Sequence, residues 1–148
     1  MKLTLPLPPN RANAREHWRA THKKKKAYYA EAQRALMDQR PWVMRMETGK
    51  PSVRAERMCS KPMRLTATLY VWSKMDRGNL VARLKWLEDI LVKTGLLVDD
   101  NEEWLDLQMP TQHIDRKEQR VEIILTPCGE LWRQVDGVWE YIGATNGD

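Results

Sequence analysis

Residues 63–72, MRLTATLYVW, alternate without a break. Met63, Leu65, Ala67, Leu69 and Val71 fall on one side, and Arg64, Thr66, Thr68 and Tyr70 on the other. This period of two predicts a strand with one buried face. Directly after it Leu80, Leu84, Leu87 and Leu91 recur at helical spacing, with Val81 and Ile90 beside them. They predict an amphipathic helix that starts near Asn79 and stops at Gly95, just past Lys93. Further strands are expected at about 104–112 and 119–126. If the strands on either side of the helix are neighbours in one sheet, the helix is their crossover.

Upstream, KLTLPL sets Leu3, Leu5 and Leu7 on one face of a short strand that Pro8 and Pro9 end. After an Arg- and Asn-rich loop, a helix is expected from about Thr21, as N-cap, to about Gln39. Tyr28, Ala32, Ala35 and Leu36 form its apolar stripe. Residues 40–62 lack a period and hold three prolines, which suggests loop or weak helix. Near the end, LWRQVDGVWEYI has the pattern of a hairpin around Asp136 and Gly137. The order β-α-β-α-β-β plus a hairpin predicts an α+β fold, with a mixed sheet of about four strands packed against two helices. The natural division is a domain over 1–126 and a hairpin extension over 127–148.

The chain has 148 residues, of which 42% are hydrophobic and 30% charged. That composition excludes a disordered chain and suits one domain with its own core. With 25 basic and 20 acidic residues the formal charge is +5, which permits a polyanionic partner without requiring one. The charge is uneven: the first 34 residues are strongly basic and residues 88–106 strongly acidic. Cys59 and Cys128 have neither metal-ligand nor redox spacing and are expected as free thiols in a reducing cytoplasm. No apolar run approaches the roughly 18 residues of a membrane span. MKLTLPLPPN breaks on prolines, unlike a signal peptide, so a cytosolic protein without a membrane partner is expected.

Chemistry concentrates at the two ends of the second helix, where Asp76 precedes it and Asp99 and Asp100 follow it. Carboxylates meeting at a sheet rim can hold Mg²⁺, with Mn²⁺ as a substitute, and a cation so held can orient a phosphodiester and activate water. Lys74, Arg77, Arg83 and Lys85 stand in the same stretch as candidate phosphate contacts. The plainer alternative makes Asp76 a helix cap and the later acids a solvated loop. Arg11, Arg15, Arg19 and the run Lys23, Lys24, Lys25, Lys26 form a second basic group, a candidate for binding phosphate, for which a solvated helix face is the plainer alternative. A basic first turn opposes the helix dipole, a hint that these lysines serve something outside the helix. Trp18 can stack on an unpaired base, although a core position is the commoner fate of a tryptophan. His17 and His22 suit surface or capping roles, and His113 a structural one in a strand.

The stretch MDRGNL, the helix through EDIL and the turn TGLLVDD resemble, in order and spacing, the RusA family of phage and bacterial Holliday-junction resolvases. LTLPLPPN and the basic THKKKKAYYAEAQ look like that family's opening, so the resemblance covers most of 1–126. It implies a Mg²⁺-dependent, homodimeric endodeoxyribonuclease that nicks four-way DNA junctions in recombination and repair, in a bacterial cell or encoded by its phage. Asp76 matches the family's first metal-binding aspartate, Asn79 its asparagine and Asp100 the aspartate after the helix, with Asp99 beside it. The early lysine becomes Ala82 counted from Asn79 and Lys85 counted back from EDIL, and one extra turn would keep Lys85 on roughly the same face. The middle aspartate falls on Gly78, which cannot ligate. This departure keeps two rivals open: a catalytically silent binder of branched DNA, and a phage accessory protein that binds another protein.

Overall fold

The computed structural model describes residues 1–10, 15, 17–39, 62–128, 130–136 and 138–144. In chain order the elements are β1 (Lys2–Pro6), α1 (Trp18–Gln39), β2 (Met63–Val71), α2 (Arg77–Arg83), α3 (Lys85–Lys93), β3 (Leu105–Leu107), β4 (Thr111–Ile114), β5 (Arg120–Pro127), β6 (Glu130–Val135) and β7 (Val138–Ala144). The fold is α+β. One mixed five-stranded sheet runs β1-β5-β2-β3, with β4 also on β2, and β6 and β7 form a separate two-stranded sheet. The loop or weak helix expected over 40–62 lies, apart from Pro62, outside the described residues, as does Cys59. Cys128 is free and exposed.

β2 is the central strand. It pairs antiparallel with β5 from Met63↔Pro127 to Tyr70↔Arg120, and parallel with β3 (Met63↔Leu105) and β4 (Thr68↔Thr111). The expected strand over 104–112 is thus two short strands sharing one edge of β2, which makes five strands instead of four. Pro110 stands between them and has no N–H to give to a ladder. The parallel pairing requires a crossover, and α2 with α3 supplies it.

The odd-numbered face of the sheet carries the core. Leu3, Leu5, Leu65, Ala67, Leu69, Val121, Ile123 and Leu125 are buried there in one cluster with Tyr28, Ala32 and Leu36 of α1 and Leu80, Leu84, Leu87 and Leu91 of the crossover. The leucine stripe predicts this packing, but Val81, expected beside it, is exposed.

Both helices begin earlier than their apolar patterns suggest. Ala20 N and Thr21 N donate to His17 O, and Arg19 N donates to His17 Nδ1 at 3.3 Å, so His17 caps α1 and Thr21 lies inside it. Asp76, not Asn79, opens α2, and the crossover breaks into two helices at Leu84. Gly95 ends α3 at φ +78°, a left-handed conformation that glycine adopts without the strain of a Cβ. Leu96 N and Leu97 N then donate to Leu91 O, folding the chain back and burying both leucines.

Leu87 is fully buried between the crossover and the sheet. Leu87→Ala is expected to lower unfolding free energy by about 3 kcal/mol through lost transfer energy and a residual cavity. Urea unfolding of the two proteins, compared at equal m, measures this.

Candidate functional site

Asp76 follows the C-terminal end of β2 and closes the first turn of α2. Its Oδ1 accepts from Asn79 N at 2.8 Å and its Oδ2 from Asn79 Nδ2 at 3.0 Å. The aspartate therefore performs the capping role its position allows, and Asn79 is its partner. The preceding loop is clamped to β4: Met75 N donates to Gln112 Oε1 at 2.9 Å, and Gln112 Nε2 donates to Met75 O at 2.8 Å. Arg83 turns inward. Its Nε donates to Pro8 O and its terminal nitrogen reaches Met75 Sδ at 3.4 Å, while burial lowers its pKa. Lys74 and Arg77 face solvent.

Asp99 and Asp100 lie where the chain returns toward β3. Asp99 Oδ1 accepts from Asp100 N at 2.8 Å, and Asp99 Oδ2 from Asn101 Nδ2 at 2.9 Å. Lys85 Nζ pairs with Asp100 Oδ2 and lies 3.4 Å from Asp89 Oδ1, one helical turn along α3. Asp89 Oδ2 also accepts from Lys25 Nζ at 2.9 Å and from the Tyr29 hydroxyl at 3.1 Å. One carboxylate thus ties α1 to α3, and Lys85 ties both to the Asp100 loop.

The electrostatics follow from these contacts. The hydrogen bond from Lys85 holds the Asp100 carboxyl below its ordinary pKa, and the same bond raises the Lys85 ammonium. Burial pushes Asp89 up, but Lys25, Tyr29 and Lys85 together outweigh it and leave this carboxyl below the usual range. Glu88 is buried without a comparable partner, and desolvation raises it against the pull of Lys85.

Asp100 stands at the boundary of two clefts of opposite character. One, about 500 Å³, lies between α1 and α3 and is lined by His22, Lys25, Lys26, Tyr29, Asp89, Val92, Lys93 and Asp100. Lys25 and Lys93 both hold their ammonium groups over the Tyr29 ring, at 5.3 and 5.0 Å from its centroid. The other, about 530 Å³, has Glu88, Glu102 and Asp106 in its wall with Asp100, Leu105 and Leu107. Asp106 is already bound by Arg64 Nε and by Gln108 Nε2, each at 2.7 Å.

Of the residues singled out by sequence, Lys85, Asp99 and Asp100 come together, and Asp76 with Asn79 forms a second group. Lys85 contacts Asp89 and Asp100, whereas both oxygens of Asp76 are engaged by Asn79. Among the described residues, no group of three or more His, Cys, Asp or Glu side chains is arranged to hold a metal ion. Arg15, Arg19, Lys23 and Lys24 are exposed, and Arg11 lies outside the described residues. Trp18 is exposed too, with the Arg19 guanidinium 5.3 Å from its ring, and so does not take the core position common for tryptophan. Sequence reasoning missed Asp89, Tyr29 and Lys93. The signal for two of them was present as the i,i+4 pairs Lys85–Asp89 and Lys25–Tyr29.

Comparison with protein-family models finds no match to this chain, and comparison with curated proteins finds none either. No described helix is long and apolar enough to cross a membrane.

Because the folded-state pKa of Asp89 is depressed, its stabilisation is complete above the unfolded value of about 3.9 and is lost as pH falls through the folded value. Asp89→Asn is expected to cost about 1–2 kcal/mol at pH 7 and to flatten the fall of stability below about pH 4. Denaturant unfolding of both proteins at a series of pH values from neutral to acid reads both effects.

Proposed function

We propose that the protein is a Mg²⁺-dependent, structure-selective endodeoxyribonuclease of the RusA kind, acting as a homodimer on branched DNA. One observation carries the proposal: Asp100, paired with Lys85, lines a cleft whose wall also includes His22, Lys25, Lys26 and Lys93. A phosphate drawn to those cations would come to rest beside Asp100 and Lys85. Asp99 and Asp100 offer adjacent carboxylates, an oxygen donor set that suits a cation retaining most of its waters. Asp76 would supply a further carboxylate from the start of α2. A bound Mg²⁺ would supply Lewis-acid charge neutralisation at the phosphodiester. Lys85 would stabilise negative charge on the phosphate, and the exposed Arg15, Arg19, Lys23, Lys24, Lys74 and Arg77 would follow the DNA backbone.

A second reading, a silent binder of branched DNA, is favoured by Gly78. A Cβ at this position would meet nothing closer than Asp76 Oδ1 at 3.6 Å, and its φ is not positive. Neither space nor backbone therefore requires glycine where the resembling family has an aspartate.

The decisive measurement is nicking of a synthetic four-way junction with Mg²⁺ or Mn²⁺. The wild type is expected to cut and Asp100→Asn to lose at least 100-fold in rate with binding retained, on the scale of other electrostatic contributions to catalysis. Gly78→Asp is expected to lower the Mg²⁺ concentration for half-maximal cutting. Binding without cleavage in the wild type would establish the silent binder, and absence of junction binding near physiological salt would point to a protein partner.

A further inference from the structure

Beyond the end of β2, Trp72 is 57% exposed. Its surroundings are fixed. Asp115 N donates to Val71 O at 2.9 Å, joining the β4–β5 turn to the residue before Trp72. Asp115 Oδ1 accepts from Lys117 N and Glu118 N, each at 3.0 Å, and its Oδ2 pairs with Arg120 at 3.0 Å. The turn so held carries Arg116, whose guanidinium carbon lies 5.7 Å from the Trp72 ring centroid. On the other side, the Gln112 clamp on Met75 fixes the loop that bears Lys74 and leads to Arg77.

Neighbouring Tyr70 differs. His113 stacks on it at 5.6 Å and Arg120 lies 3.7 Å from its centroid, so its ring is engaged within the fold. Trp72 keeps a large open surface with Arg116 against its ring, and the two loops that flank it in the chain and in the sheet carry the exposed Lys74, Arg77 and Lys117. An exposed aromatic face beside a guanidinium, on two tethered loops that bear further cations, suits a base that has left its stack, with the flanking phosphates on the lysines and arginines. Tethering both loops lowers the ordering cost of binding.

We propose that Trp72, with Arg116, is a stacking platform for an unpaired base of single-stranded or branch-point DNA. The proposal deepens the branched-DNA reading above and rests on it for the identity of the partner. Trp72 would touch the base, and Asp115 and Gln112 would act as positioning residues.

The test uses the full chain and fluorescence anisotropy with three labelled probes: a dT20 strand, a four-way junction and a fully paired duplex. Trp72→Ala is expected to weaken binding to dT20 and to the junction about ten-fold or more, with duplex affinity and the salt dependence of binding unchanged. Trp72→Phe should recover most of the loss, because stacking needs a ring and not an indole. Circular dichroism of each variant checks folding, which an exposed side chain leaves intact. If the wild type binds the junction and both variants match it on dT20 and junction, the platform is wrong while the branched-DNA reading stands. If the wild type binds none of the three probes, both fail together. A uniform loss on all three probes would make Trp72 a structural residue and would also overturn the platform.

Discussion

Parallel pairing of β2 with β3 and β4 is the constraint on which the site depends. Two parallel neighbours cannot be joined by a tight turn, so the chain must travel back along the sheet before it can pair again. The leucines of α2 and α3 make that return favourable by burying it against the odd face of β2. The crossover therefore carries Asp76 at its start and leads into Asp99 and Asp100 after its end. Lys85, partway along, pairs with Asp100 and lies near Asp89.

The basic helix α1 is held to this frame by one carboxylate. Asp89 accepts from Lys25 and Tyr29 and lies near Lys85, so α1 and α3 meet at a single charged side chain that is only partly solvated. An exposed ion pair contributes little, whereas several donors on one half-buried carboxylate act together. The lysine run is divided by this contact: Lys25 belongs to the fold, while Lys23, Lys24 and Lys26 remain at the surface. Since α1 starts at Trp18, the run falls beyond the first turn, and the expected conflict with the helix dipole is largely absent.

The strand β2, the leucine stripe, the Gly95 stop and the hairpin at 130–144 were legible because each follows a strong period or a specific turn residue. Helix starts were less so. His17 caps α1 through a ring nitrogen, and Asp76 caps α2 four residues before the first buried leucine, at positions where periodicity is silent. The split at Pro110 was visible as a proline, but only the register shows that both halves lie on the same edge of β2. For the site, residue types were legible and their partners were not. Nothing in the spacing of Asp89 to Lys25 and Tyr29 reveals a contact 60 or more residues apart in sequence, because it arises from the packing of α1 on α3.

Asp76 and Asp100 illustrate why acidic residues at both ends of one helix need not share one task. At the N-terminus of α2 a carboxylate is favoured by free backbone N–H groups and by the dipole, and both Asp76 oxygens are engaged by Asn79. That alone accounts for an aspartate there. Asp100 has no helix end to cap. It faces a lysine on one side and, across the acidic cleft, Glu102 and Asp106 on the other, an arrangement that gains from Lys85 but is opposed by like charges. Capping accounts for an aspartate at 76, whereas at Asp100 the gain from Lys85 is set against like-charge repulsion, so packing alone accounts for this carboxylate only in part.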